Sequence, residues 1–246
     1  MAVLSTEAFV LRSYKLAEND KIVVLFTRAS GKIRLVAKGA RKTRNRFGAS
    51  LEVFAHVRAM FRPQENRELL ILERAELLYS PFEKQTKLRT NFYLFYFAEL
   101  ISEFCPDHER MPTVFRLLCN IEQSVQQGQN LDYLARYVEL QLLRVQGILS
   151  SVVSCSGCRR HFLSLNDRRF IGSGGEILCK TCRSADSVFL SSKVVSSIDH
   201  FEKGSSGWAD SLEGKTLQEL ASLNHLLITR FLGKELQSHQ FRKKFL

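Results

Sequence analysis

Long apolar runs are missing from this 246-residue chain, so no segment offers the roughly 20 apolar residues that a bilayer-spanning helix needs. Its start, Met1-Ala2-Val3-Leu4-Ser5-Thr6-Glu7, has neither a basic head nor an apolar stretch. No secretory signal and no membrane partner are therefore expected, and a cytoplasmic location follows. Low-complexity tracts and internal repeats are absent too, while 45% hydrophobic content is ample for folded cores. Missing as well are a G-x-x-x-x-G-K-[ST] nucleotide loop, a G-x-S-x-G elbow and a His-Glu-x-x-His zinc helix. No proline precedes either cysteine pair, which removes the zinc-deaminase pattern. Carboxylate neighbours such as Glu18 and Asp20, or Glu65 and Glu68, sit in or beside turns, where acidic residues are common without a metal. The expectation is a protein that is not an enzyme.

Acidic residues are in short supply: 25 Asp and Glu face 36 Lys and Arg, for a net charge of +11, which favours polyanionic partners. The imbalance is local. From Arg28 to Arg46 the chain has no acidic residue at all, yet it carries Lys32, Arg34, Lys38, Arg41, Lys42, Arg44 and Arg46. Lys32 and Arg34 alternate with Ile33 and Leu35, so the pair is expected on the solvent face of a strand. The others fall in a turn-like segment where long cations can follow a row of phosphates, with Phe47 as a ring for stacking. These seven cations are the candidate nucleic-acid contacts. A smaller group, Arg242, Lys243 and Lys244, closes the chain.

Six cysteines are present. Cys105 and Cys119 sit singly in apolar, helical text and read as core residues. The rest form two matched pairs, Cys155-Ser-Gly-Cys158 and Cys179-Lys-Thr-Cys182. Each C-x-x-C turn aims two thiolates at one ion, and two such turns complete a closed tetrahedral shell. One structural Zn2+ per chain is expected, held by Cys155, Cys158, Cys179 and Cys182, with His161 surplus. A redox dithiol or disulfide pair is the alternative, although the βαβ context of a thioredoxin-like motif is lacking.

Short alternating or apolar runs at residues 8–12, 21–27, 32–37, 51–61 and 68–72 predict five strands, separated by turn signals at 18–20, 29–31 and 63–66. Five closely spaced strands point to an OB-fold barrel over residues 1–80; an SH3-like barrel or a sandwich would give the same pattern. After Pro81 the period changes to that of amphipathic helices, through Phe92 to Leu100, Val114 to Val125 and Leu131 to Val145, resuming at Val194–Phe201 and Thr216–Leu236. The fold class expected is α+β and multidomain: an N-terminal barrel, then a helical domain over 81–246 with a four-cysteine zinc ribbon inserted at about 150–187.

The segments Ala8-Phe9-Val10-Leu11, Thr27-x-x-x-Gly31-Lys32, Val36-Ala37-Lys38-Gly39-Ala40-Arg41-Lys42, Leu69 to Leu77, and Leu140 to Gly147 leading into Cys155 together resemble the bacterial RecO family of recombination mediators. The resemblance covers essentially the full chain. It implies a non-enzymatic role in the RecF pathway: binding single- and double-stranded DNA, annealing complementary strands, and associating with RecR. It also implies help in placing RecA on strands covered by single-strand-binding protein, and a nucleoid-associated, cytoplasmic site of action. The acidic tail of single-strand-binding protein would dock on the helical domain, with Leu223, Leu227 and Phe231 as the slot and Arg230, Lys234 and Arg242 at its rim. The competing functions are a pure protein-recruitment adaptor, in which the helical domain holds partners and the barrel adds little DNA affinity, and an RNA-binding, translation-associated factor, since OB-folds and zinc ribbons occur there too.

Overall fold

In a computed structural model, residues 3–62, 69–81, 87–165, 167–204, 208 and 212–240 are described. Five strands, β1 (Leu4–Lys15), β2 (Lys21–Thr27), β3 (Gly31–Ala37), β4 (His56–Arg62) and β5 (Leu70–Tyr79), close in the order β1-β2-β3-β5-β4. The β3–β5 pair is parallel and the others antiparallel. Closure removes free sheet edges. Alternation sends Ala8, Val10, Val23, Leu25, Ile33, Leu35, Val57 and Leu72 into one apolar cluster. This is the expected five-stranded barrel of OB type.

The run at 51–61 departs from the sequence expectation. A 3-10 turn occupies Gly48–Leu51, and pairing to β1 begins only at His56. Phe54 adopts φ +68 while its N–H donates to the Val10 carbonyl at 2.7 Å, so tertiary pairing overrides the residues' strand preference. Two helices, α1 (Leu88–Phe104) and α2 (Pro112–Gln126), pack on the barrel's outer face. There Phe9 stacks on His56 with centroids 4.2 Å apart and meets Phe115 edge-on at 5.7 Å. His56 Nδ1 pairs with Glu122 at 2.8 Å. For that reason the compact unit containing the barrel runs well past Ser80, through Gln129, and takes in residues 236–240.

The second unit, 130–235, contains α3 (Leu131–Val145), α4 (Ser192–Glu202) and α5 (Gly214–Leu232). Asn130 caps α3 by accepting from the Asp132 N–H, and Ser191 caps α4. Gly233, at φ +65, ends α5 before the expected Leu236. Between α3 and α4 lies a small sheet of β6 (Arg169–Ile171), β7 (Ile177–Cys179) and β8 (Val188–Leu190), in the order β7-β6-β8. Leu223 and Leu227 are buried in this unit's core, so they do not line an open slot; Phe231 alone of that trio is exposed. Arg242, with Lys243 and Lys244, lies outside the described residues, as do the turn at 63–66 and Ser205-Ser206-Gly207.

Candidate nucleic-acid interface and thiolate centre

The basic loop after β3 is a rim anchored by hydrogen bonds to the β1–β2 turn. Gly39, at φ +71, donates its N–H to Asp20 Oδ1 at 2.8 Å, and the Arg41 N–H donates to the Asn19 carbonyl at 3.0 Å. The Arg41 guanidinium also donates to the carbonyls of Ala17 and Glu18. Asp20 is thus a clip between the β1–β2 turn and the basic loop. Asn45 Oδ1 accepts from the N–H groups of Phe47 and Gly48, which shapes the loop's exit.

The seven candidate cations divide into three kinds. Lys38, Lys42 and Arg44 are exposed, and their side chains have no hydrogen-bond or ion-pair partner among the described residues. Arg41 and Arg46 are exposed but partly committed, Arg46 lying over the Phe47 ring at 5.0 Å. Lys32 and Arg34 belong to a different construction. Lys32 is 9% exposed; its Nζ pairs with Asp107 Oδ1 at 3.0 Å and donates to the Ser102 carbonyl at 2.7 Å. Arg34 pairs with the other Asp107 oxygen at 3.1 Å.

Lys32 is therefore not a free phosphate contact, because the α1–α2 connection covers that end of β3. Phe47 departs from expectation as well: its ring lies in the barrel core and offers no stacking face.

The same connection explains the Thr27-x-x-x-Gly31-Lys32 segment. Thr27 Oγ1 accepts from the Ser30 N–H and donates to the Gly31 carbonyl, closing the β2–β3 turn. Gly31 has φ +64, and a Cβ there would stand 1.7 Å from the Glu109 carbonyl oxygen. Only glycine satisfies both the torsion and the close approach. The motif seats a helix connection on the barrel, and its lysine completes the seat. Sequence reasoning missed Asp107, which shares the short Pro106–Pro112 connection with a second acid, Glu109, and carries no signal that sets it apart.

In the second unit the four thiols converge. The sulfurs of Cys155, Cys158, Cys179 and Cys182 all lie within 4.8 Å of one another, and Cys158 Sγ is 3.9 Å from Cys179 Sγ. A tetrahedral Zn–S4 shell with bonds of about 2.3 Å needs sulfurs about 3.8 Å apart, so the donor set fits a bound ion. None of the four is in a disulfide. Gly157 makes the approach possible, since a Cβ on it would lie 3.0 Å from Cys182 Cβ. His161 is exposed and outside the cluster.

Electrostatics inside the knuckles favours the thiolate at Cys155 and Cys179 and opposes it at Cys182. Burial works against the Cys155 anion, yet the backbone N–H groups of Cys158, Cys179 and Gly157 outweigh it and bring the thiol down to about 6. The Cys182 N–H likewise lowers Cys179. Cys182 is pushed up to about 12 by its sulfur neighbours Cys179 and Cys158. A dication relieves that crowding of negative charge. Arg169, 3% exposed, braces the ribbon by donating to the carbonyls of Val152, Ser164, Leu165 and Asp167. The sequence marked it only as one more cation.

A closed barrel with an exposed basic rim, followed by helices that carry a four-thiol knuckle, defines a modular OB-barrel protein whose ribbon can hold a metal ion. The chain matches the family models "Recombination protein O N terminal" over residues 1–81 and "Recombination protein O C terminal" over residues 85–240. It belongs to the RecO family, whose role is in DNA repair and recombination. A DNA repair protein RecO from Koribacter versatilis is 38% identical over 165 residues, 67% of this chain and 66% of that protein. One from a Nocardioides species is 33% identical over 237 residues, covering 94% and 96% of the two chains. One from Halalkalibacterium halodurans is 29% identical over 240 residues, covering 96% and 92%. No helix among the described residues is long and apolar enough to cross a membrane.

Proposed function

We propose that the protein is a non-enzymatic recombination mediator that grips DNA strands by their backbones, anneals complementary strands, and acts with RecR to load RecA where single-strand-binding protein covers the DNA. It works in the cytoplasm at the nucleoid. Family membership supports the setting. The observation that carries the DNA contact is the rim itself: Lys38, Lys42 and Arg44 are exposed and unpaired on a loop clipped in place by Asp20 and Arg41. Three such cations on an anchored backbone, without carboxylate partners, are available to phosphate. Annealing needs no covalent step, because neutralising two repelling backbones lowers the barrier to pairing while the base edges stay free.

The four thiols hold one structural Zn2+ in this proposal. With all four positions taken by sulfur, the ion organises the ribbon and has no open site for chemistry.

Replacing Lys38, Lys42 and Arg44 together by alanine tests the DNA contact. Each lost phosphate contact lowers the logarithmic salt slope by about 0.7 for single strands, so the triple variant is expected to lose about 2. Affinity should fall equally across sequences. Retained affinity with an unchanged slope would move the strand off this loop.

A further inference from the structure

The ribbon of the second unit carries a feature that metal binding does not use. In register across its three strands, Leu178, Phe170 and Phe189 form one row. Phe170 is buried beneath the Arg183 guanidinium, which lies 4.8 Å over its ring. Phe189 stands edge-on to Phe170 at 5.7 Å and is 55% exposed, on β8, an edge of the sheet. The link between Arg183 and β8 is a locked turn: the Ser184 N–H donates to Ser187 Oγ at 3.0 Å, and the Ser187 N–H donates to the Ser184 carbonyl at 3.2 Å. A guanidinium and an open aromatic face are thereby held side by side.

Around this pair the ribbon exposes further cations. Arg159, Arg160, Arg168, Lys180 and Arg183 are all exposed, and none forms an ion pair with another described residue. A Zn2+ with four thiolates carries a net charge of −2 and the ribbon also holds Asp167, Glu176 and Asp186, so its six cations, Arg169 included, leave a surplus of one; none of the three carboxylates forms an ion pair with the exposed five. The surplus of positive charge and the exposed ring are left unexplained by a purely structural knuckle. An open ring beside fixed cations is the combination that single strands use, with a base on the aromatic face and phosphates on the guanidinium groups.

We infer that the ribbon is a second single-stranded DNA site, separate from the barrel rim, with Phe189 as its stacking ring and Arg168 and Arg183 as phosphate contacts. Its purpose rests on the strand-pairing role proposed above. Annealing brings two strands to one protein, and the molecule carries two unpaired basic surfaces, one in each compact unit.

The test uses the full chain and a fluorescein-labelled 30-nucleotide oligo(dT), read by anisotropy across a salt series, with zinc content measured on every variant. Phe189→Leu keeps an apolar side chain but removes the ring, and is expected to weaken ribbon-dependent binding about tenfold; Phe189→Tyr should restore it. Arg168→Ala with Arg183→Ala is expected to lower the salt slope by about 1.4. Both variants should slow annealing of complementary oligonucleotides, even with the barrel rim intact.

Unchanged affinity, slope and annealing with zinc retained overturns the second site, and leaves the barrel contact standing. Loss only in the barrel triple variant overturns it equally. Where a ribbon variant loses zinc, photocrosslinking of the unmodified protein to a strand containing 5-iododeoxyuridine decides. Crosslinks within residues 168–190 support the site, and their absence overturns it. Binding of an acidic peptide there, with no DNA crosslink, would make the surface a protein dock and also refute the inference.

Discussion

Asp107 is the best place to perturb, because it ties fold to function through two cations of different burial. Its carboxylate meets Lys32, whose side chain is 11% exposed, and Arg34, whose side chain is 51% exposed. Asp107→Ala takes the carboxylate from both. The Arg34 pair is half in water and contributes at most about 1 kcal/mol. Removing one partner of a fully buried pair costs about 3–5 kcal/mol; here the Asp107 side chain is 35% exposed and Lys32 keeps its bond to the Ser102 carbonyl, and both moderate the loss. The expected destabilisation is about 2–3 kcal/mol. Adding Lys32→Met to the same chain deletes the stranded charge and should recover at least half of that loss.

The assay is urea unfolding followed by circular dichroism, with the midpoint moving and the m-value constant. A second readout concerns DNA. Asp107→Ala frees Arg34 and is expected to steepen the salt dependence of single-strand binding by about 0.7. Lys32→Met alone should leave that slope unchanged, because Lys32 is already occupied. A loss below about 0.5 kcal/mol from Asp107→Ala, or a lower slope from Lys32→Met, would refute the assignment of Lys32 as a buried structural cation.

Other outcomes follow from the same geometry. Cys158→Ser or Cys179→Ser is expected to release metal from a protein that otherwise carries about one zinc per chain, and metal analysis of protein purified under reducing conditions checks this. Burial pushes the Cys105 thiol up to about 12, so Cys105 should resist maleimide at pH 8 in the native protein, while a chelator should make the four knuckle thiols reactive. Mass spectrometry of the labelled peptides distinguishes the sites. Gly31→Ala must either expel the Glu109 carbonyl or strain a left-handed residue, and is expected to lower the unfolding midpoint more than Gly128→Ala, which meets nothing within 4 Å at a similar φ.

Much of the architecture was legible because it rests on short-range regularities. A continuous run rich in β-branched and aromatic residues in Lys21–Thr27 and alternation in Lys32–Leu35 specify strands, and the observed β2 and β3 agree with them to within a residue. Two C-x-x-C turns can do little but converge, since each already aims two sulfurs at a common point. The helical periods of α2 and α3 were equally plain. Less legible was the segment from Gly48 to Ala55, where a 3-10 turn takes Gly48–Leu51 and Phe54, a good strand former, turns at φ +68 to donate its N–H to the Val10 carbonyl.

What the sequence determined by itself was which residues alternate, which recur with a helix's turn, which thiols converge, and that positive charge gathers between Arg28 and Arg46. What only the tertiary structure decided was where each cation's charge goes. Lys32 and Lys38 are six residues apart in one basic run and look alike in the sequence. One meets Asp107 and a carbonyl beneath a helix connection; the other projects unpaired from a clipped loop. Periodicity specifies the face on which a side chain leaves its strand, but not whether a distant part of the chain covers that face. That cover comes from long-range packing, set here by Gly31 allowing the Glu109 backbone to approach, and it separates a structural cation from one open to DNA.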